Sequence, residues 1–109
     1  MNWFNDLFSG AHPSQPLQWN TDAVILDVRT PDEFASGHVD GAINVPLSGF
    51  AQAHAKAAPD KSRQVIVYCQ SGARSGQAML LLKHQGYSNV INGGSPAAVA
   101  THTRRTLVR

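Results

Sequence analysis

The sequence predicts an α/β domain, a mostly parallel sheet with helices on both faces. Two observations carry this. Short runs rich in β-branched residues alternate with helical patterns along the chain. The strongest of these runs, Ala23-Val24-Ile25-Leu26-Asp27-Val28 and Gln64-Val65-Ile66-Val67-Tyr68, are almost continuously apolar, as strands covered on both faces are.

The elements follow in order. Trp3, Phe4, Leu7 and Phe8 form a short apolar stripe at helical spacing in residues 1–9. Such a stripe packs on its own domain's core, or makes a dimer contact or fits a partner's groove. A Gly, Pro and Ser loop follows, then the strand over residues 23–28. Thr30 suits an N-cap, Pro31 the first helical position, and Glu33 completes a capping box; Gly37 stops this short helix. Residues 42–45 read as a strand closed by Pro46. Ser48 caps a helix over residues 49–57, and Pro59 marks its end. Cys69 stands at the carboxyl end of the strand over residues 64–68. Residues 75–85 read as a helix with Ala78, Met79, Leu81 and Leu82 toward the core, stopped by Gly86. Val90-Ile91 is a last strand, and Ser95-Pro96 opens a terminal helix.

The 109 residues suit one domain, with a core over about residues 17–103 and a basic, solvated tail over residues 104–109. Hydrophobic residues at 42% and charged residues at 15% fit a globular chain. One cysteine excludes an internal disulfide and any zinc site built on several thiolates of this chain. No histidine spacing suggests a metal; His12, His54, His84 and His102 read as surface residues. The net charge is +2, and three of the nine basic residues (Arg104, Arg105, Arg109) sit in the last six positions, so no nucleic-acid partner is expected. No apolar run approaches the ~20 residues of a membrane span. The N-terminus has neither the basic nor the apolar region of a secretory signal, so a cytoplasmic location is expected.

Ligand sites of open α/β sheets form at the carboxyl ends of the strands, where Asp27, Arg29 and Cys69 fall. The loop Cys69-Gln70-Ser71-Gly72-Ala73-Arg74-Ser75 leads from a buried strand into a helix. Gly72 permits a tight path, and successive N–H groups can form an anion-binding nest beside a helix N-terminus. Arg74 adds a positive charge. A free thiol is only a few per cent ionised at neutral pH; a pKa lower by about two units, worth about 2.7 kcal/mol, makes the thiolate the major form. Cys69 is therefore expected to have a depressed pKa. Against this stands the common fate of a lone cysteine, a small buried hydrophobe.

These segments resemble the rhodanese family, in particular its small single-domain bacterial sulfurtransferases. Leu26-Asp27-Val28-Arg29 with Glu33-Phe34, the run from Gly37 through Val45-Pro46, the loop from Val67 to Ser75, and Gly86-Tyr87 through Asn92-Gly93-Gly94 carry the likeness, in the family's order. After Gly93-Gly94 the chain departs from the family: Ser95-Pro96-Ala97-Ala98 replaces a large aromatic. The resemblance implies a three-layer fold with a central, mostly parallel sheet of about five strands. It implies a thiosulfate sulfurtransferase in which Cys69 carries sulfur as a persulfide, with no cofactor and no metal. Residues 70 to 75 would bind the anionic sulfur, and Arg74 the oxygens of a small anionic donor. Related phosphatases and arsenate reductases place five residues between cysteine and arginine; here four intervene, a smaller cradle that disfavours that chemistry. With no second cysteine, sulfur passes to an outside acceptor: cyanide in an assay, a thiol or a protein in a cell. A carrier that receives sulfur from a protein partner is the alternative. A monomer or weak dimer is expected.

Supporting roles fall to Asp27, Arg29, Glu33 and His38. Asp27 either hydrogen-bonds N–H groups of the cysteine loop or serves structure. Arg29 and Glu33 are expected to pair and hold the loop after the first strand. His38 is expected to hydrogen-bond backbone in its turn, with proton transfer as the sharper alternative.

Overall fold

The computed structural model describes residues 18–109. The expected stripe at Trp3, Phe4, Leu7 and Phe8 lies outside them, as does His12. Four strands, β1 (Val24–Asp27), β3 (Ile43–Asn44), β4 (Val65–Tyr68) and β5 (Val90–Gly94), form one parallel sheet in the order β3-β1-β4-β5. The connections are α1 (Pro31–Ser36), α2 (Phe50–Ala57) and α3 (Ala73–His84), and α4 (Pro96–Thr103) follows β5. The central sheet thus has four strands among the described residues, not about five. Two further short strands, β2 (His38–Val39) and β6 (Leu107–Val108), pair antiparallel with each other instead. The Val39 N–H is turned toward the Tyr68 hydroxyl at 3.0 Å rather than into the main sheet.

Strand periodicity explains the two cores. Along β4 and the next residue, Val65, Val67 and Cys69 face one side and Ile66 and Tyr68 the other, all buried. The first side packs against Phe50 and Ala58 and against Ala78 and Leu82 of α3. The second packs against Val39, Ile91 and Val99 of α4. A strand with apolar residues on both faces needs a cover on each, which α2 and α3 supply on one side and α4 on the other.

Local signals placed the helix ends well in two cases. The Thr30 hydroxyl accepts from the Glu33 N–H at 3.2 Å, and Glu33 Oε1 accepts from the Thr30 N–H at 2.9 Å, a complete capping box. The Ser95 hydroxyl accepts from the Ala98 N–H at 3.2 Å, with Pro96 in the first position. Ser48 does not act as a cap. It lies inside a 3-10 turn, Leu47–Gly49, that Pro46 starts and α2 continues.

Two other expectations change. His54 is a core residue, not a surface one: its Nδ1 lies 2.9 Å from the Phe50 carbonyl oxygen, and its ring packs between Phe50 and Tyr87. The C-terminal residues are not simply a solvated tail. Leu107–Val108 pairs with β2, and the Arg105 guanidinium donates to the Asp40 carbonyl at 2.9 Å. His84 and His102 are exposed, as expected.

Gly93 shows how tightly α4 meets the sheet. A Cβ there would overlap the Val99 side chain and press on Ile66. Gly93→Ala is expected to destabilise the fold by about 1–3 kcal/mol, seen as a lower urea midpoint with an unchanged slope.

Candidate active site

Cys69 follows the last residue of β4, at the carboxyl edge of the sheet, and its backbone N–H continues the pairing to β5 by donating to the Gly94 carbonyl at 3.1 Å. The chain then turns sharply. Gly72 takes φ +103°, a left-handed conformation that a side chain would resist, and α3 begins at the next residue. This turn brings the Gly72 N–H to 3.0 Å from the Cys69 sulfur. The Ser75 hydroxyl reaches the same sulfur from the first turn of α3, at 3.4 Å.

The electrostatics follow from these contacts. Cys69 is 1% exposed, and burial opposes ionisation. The Ser75 hydroxyl and the backbone N–H groups of Ser75, Ser71 and Gly72 outweigh it and pull the thiol down to about 7. The depressed pKa expected from the loop is therefore present, and its source is mainly neutral donors rather than Arg74.

Asp27 and Arg29 do not behave as expected. Asp27 donates nothing and accepts nothing from the cysteine loop; its carboxylate takes the Arg29 N–H at 2.9 Å and the guanidinium at 2.6 to 3.1 Å. Asp27 is 0% and Arg29 4% exposed, so this is a buried ion pair. Glu33 is not the partner of Arg29. The Arg29 side chain turns inward over Tyr68 and reaches the Gly37 carbonyl at 2.7 Å and Gln70 Oε1 at 3.3 Å. It thereby links the end of β1 to the cysteine loop. The charge pairing was misread because residues 29 and 33 do not share a helix: α1 begins only at Pro31.

Glu33 instead crosses to Arg74, with hydrogen bonds at 2.8 and 3.0 Å. Arg74 is the leading cause that pulls the Glu33 carboxyl down to about 2. His38 meets the Phe34 carbonyl through Nδ1 at 2.8 Å and stacks on the Phe34 ring, so its ring serves the turn as expected. Gln70, Ser71 and Ala73 are exposed on the loop, and Ser75 is buried.

One residue went unrecognised. The Asn92 side chain on β5 donates to the Gly72 carbonyl at 3.0 Å and accepts from the Gly94 N–H at 3.1 Å and the Ser75 hydroxyl at 2.7 Å. It ties the loop to the neighbouring strand. An asparagine before two glycines in an apolar strand was the available signal, since a polar side chain there must find partners. Among the described residues, no group of three or more His, Cys, Asp or Glu side chains is placed to hold a metal. A cavity of about 340 Å³ at Trp19, Thr21, His102 and Arg104 contains none of the loop residues.

This layout, a cysteine in a tight loop between a buried parallel strand and a helix, matches known proteins in both sequence and shape. Residues 14–99 match the family described as Rhodanese-like domain. The chain belongs to the rhodanese family. Its rhodanese relatives include the thiosulfate sulfurtransferase PspE of Escherichia coli (strain K12), 44% identical over 75 residues, which are 69% of this chain and 72% of that protein. A solved structure described as a rhodanese with anions from E. coli superposes with a TM-score of 0.72 at 39% identity, covering 80% of this chain and 98% of the other. The same domain also matches part of a larger protein, the tRNA uridine(34) hydroxylase of Hamiltonella defensa. The two are 31% identical over 114 residues, 95% of this chain but 32% of that protein.

Two outcomes follow from the rhodanese site. Asp27→Ala strands the buried Arg29 charge and is expected to cost about 3–5 kcal/mol of stability in a urea titration. Ser75→Ala removes a donor that favours the thiolate, so the midpoint of Cys69 alkylation against pH should rise above the wild-type value near 7.

Proposed function

We propose that this chain is a thiosulfate sulfurtransferase whose Cys69 carries the transferred sulfur as a persulfide. The observation that carries the reading is the Cys69 sulfur itself, ringed by the Gly72 N–H and the Ser75 hydroxyl and half ionised near neutral pH. A thiolate is the nucleophile in such chemistry, and these donors are aimed at the place where negative charge sits before and after transfer.

The reaction has two halves. The Cys69 thiolate attacks the outer sulfur of thiosulfate. A bond forms between that sulfur and Sγ, the sulfur–sulfur bond of the donor breaks, and its electron pair leaves with sulfite. The outer sulfur of the persulfide then takes the negative charge within reach of the loop donors. In the second half an acceptor nucleophile attacks that outer sulfur, and the electron pair of the breaking bond returns to Sγ. With cyanide the product is thiocyanate. Cys69 is the only cysteine, so no thiol of the chain can resolve the persulfide, and the sulfur goes to an external acceptor, a small thiol or a protein. No cofactor is required, because the cysteine holds the sulfur.

Each remaining residue has a place in this scheme. Arg74 draws the anionic oxygens of the donor to the loop mouth. Gln70 and Ser71 form the exposed rim of the loop. The Asp27–Arg29 pair, through Gln70, and Asn92, through Gly72, hold the loop in shape. The match to a tRNA hydroxylase three times longer favours a second reading, a persulfide carrier that receives sulfur from a protein. Among the described residues no helix is long and apolar enough to cross a membrane, and the reaction is placed in the cytoplasm.

Intact mass after incubation with thiosulfate tests the proposal. One sulfur atom should be added, removable by a reducing thiol and absent in Cys69→Ser. The loading rate should rise with pH through a midpoint near 7, since the thiolate is the reactive form. Catalytic thiocyanate formation from cyanide supports the enzyme; loading without turnover supports the carrier; hydrolysis of an aryl phosphate without loading overturns both.

A further inference from the structure

Arg74 is the cation of the cysteine loop, and it is already engaged. Its Nη1 and Nη2 donate to the two oxygens of Glu33 at 2.8 and 3.0 Å. The partners come from the first turns of different helices, Glu33 from α1 and Arg74 from α3. Glu33 is fixed from a second direction, because its Oε1 also accepts from the Thr30 N–H at 2.9 Å in the capping box. The carboxylate is thus held at the loop mouth by its own helix as well as by its partner. Both side chains are 34% exposed, so the pair lies where a dissolved donor arrives. Among the described residues the Arg74 Nε–H has no hydrogen-bond partner, which leaves one edge of the guanidinium for a ligand's oxygen.

A lone arginine attracts an anion in proportion to the anion's charge. A carboxylate within hydrogen-bond reach of the same guanidinium repels it in the same proportion, so the net attraction is small and depends little on charge. Thiosulfate is a dianion, and so is its leaving group sulfite. A thiosulfonate, R–SO2–S⁻, offers the same outer sulfur with a single charge. Its transfer balances in the same way: Sγ bonds to the outer sulfur, the sulfur–sulfur bond breaks, and the electron pair leaves with the sulfinate.

We infer that Glu33 is a specificity-determining residue: by neutralising Arg74 it removes the site's preference for dianions, so monoanionic organic sulfane-sulfur donors are taken alongside thiosulfate and the sulfite product is released readily. The inference rests on the sulfurtransferase reading and adds a substrate class to it. Glu33 acts through Arg74 and touches no reacting atom.

The test compares thiosulfate with benzenethiosulfonate as donors for the wild type, Glu33→Gln and Glu33→Ala. In both variants the KM for thiosulfate should fall about three- to fivefold, the scale of one exposed charge pair, and that for benzenethiosulfonate less than about twofold. Glutamine keeps an acceptor for the Thr30 N–H and alanine does not, so an effect of charge appears in both variants and an effect of helix capping only in the second. A check without variants uses inhibitors of one shape and different charge: in the wild type, sulfate and methanesulfonate should inhibit within about threefold of each other, the span one exposed charge pair supports. A KM unchanged for both donors, equal changes for both, or strong preference of the wild type for sulfate would overturn the inference. Failure of the wild type to accept sulfur from either donor would instead remove the sulfurtransferase reading beneath it.

Discussion

Every feature of the site depends on the path of the backbone between Cys69 and Ser75. A sulfur at the end of a buried strand is surrounded by apolar neighbours, which oppose charge. Only a loop that turns its N–H groups back onto that sulfur reverses the balance. The left-handed Gly72 makes the turn, the start of α3 supplies the Ser75 hydroxyl, and Asn92 clamps both ends of the turn to β5. The thiol and its donors therefore form one rigid unit with the sheet. Donors held in advance need no rearrangement when charge develops, which is where such a site gains its rate.

Around this unit the charged residues divide by depth. Asp27 and Arg29 are fully buried and satisfy each other, with the Gly37 carbonyl and Gln70 taking the remaining guanidinium donors. A buried pair of this kind contributes fixed geometry more than net stability, because desolvation offsets much of the attraction. Glu33 and Arg74 lie at the surface, where water screens them and exchange of partners is inexpensive. The buried pair holds the loop, and the exposed pair meets what arrives. One sequence segment, from Asp27 to Glu33, contributes to both.

Much of the fold was legible. The two apolar runs marked β1 and β4, the capping boxes at Thr30 and Ser95 marked helix starts, and the carboxyl end of β4 marked the site, because each signal is local. The resemblance to the rhodanese family added the chemistry of Cys69. What misled was pairing by sequence distance. Arg29 and Glu33 are four apart, yet one belongs to the end of a strand and the other to a helix, and their partners lie elsewhere in the fold. His54 looked like a surface histidine because its partners, Phe50 and Tyr87, meet only after α2 packs beside the chain that follows α3. Leu107–Val108 gave no signal of pairing, since two residues carry no period and β2 is equally short.

The sequence by itself determined the class of the fold, the order of its elements and the position of the cysteine, because hydrophobic period, caps and glycines act within a few residues of one another. The tertiary structure alone decided who stands next to whom: Asn92 against Gly72, Glu33 against Arg74, Asp27 against Arg29. The first two contacts join residues far apart in the chain, and the third depends on where β1 ends and α1 begins. Such contacts arise only when parallel strands bring their carboxyl ends side by side, and no local pattern encodes that geometry.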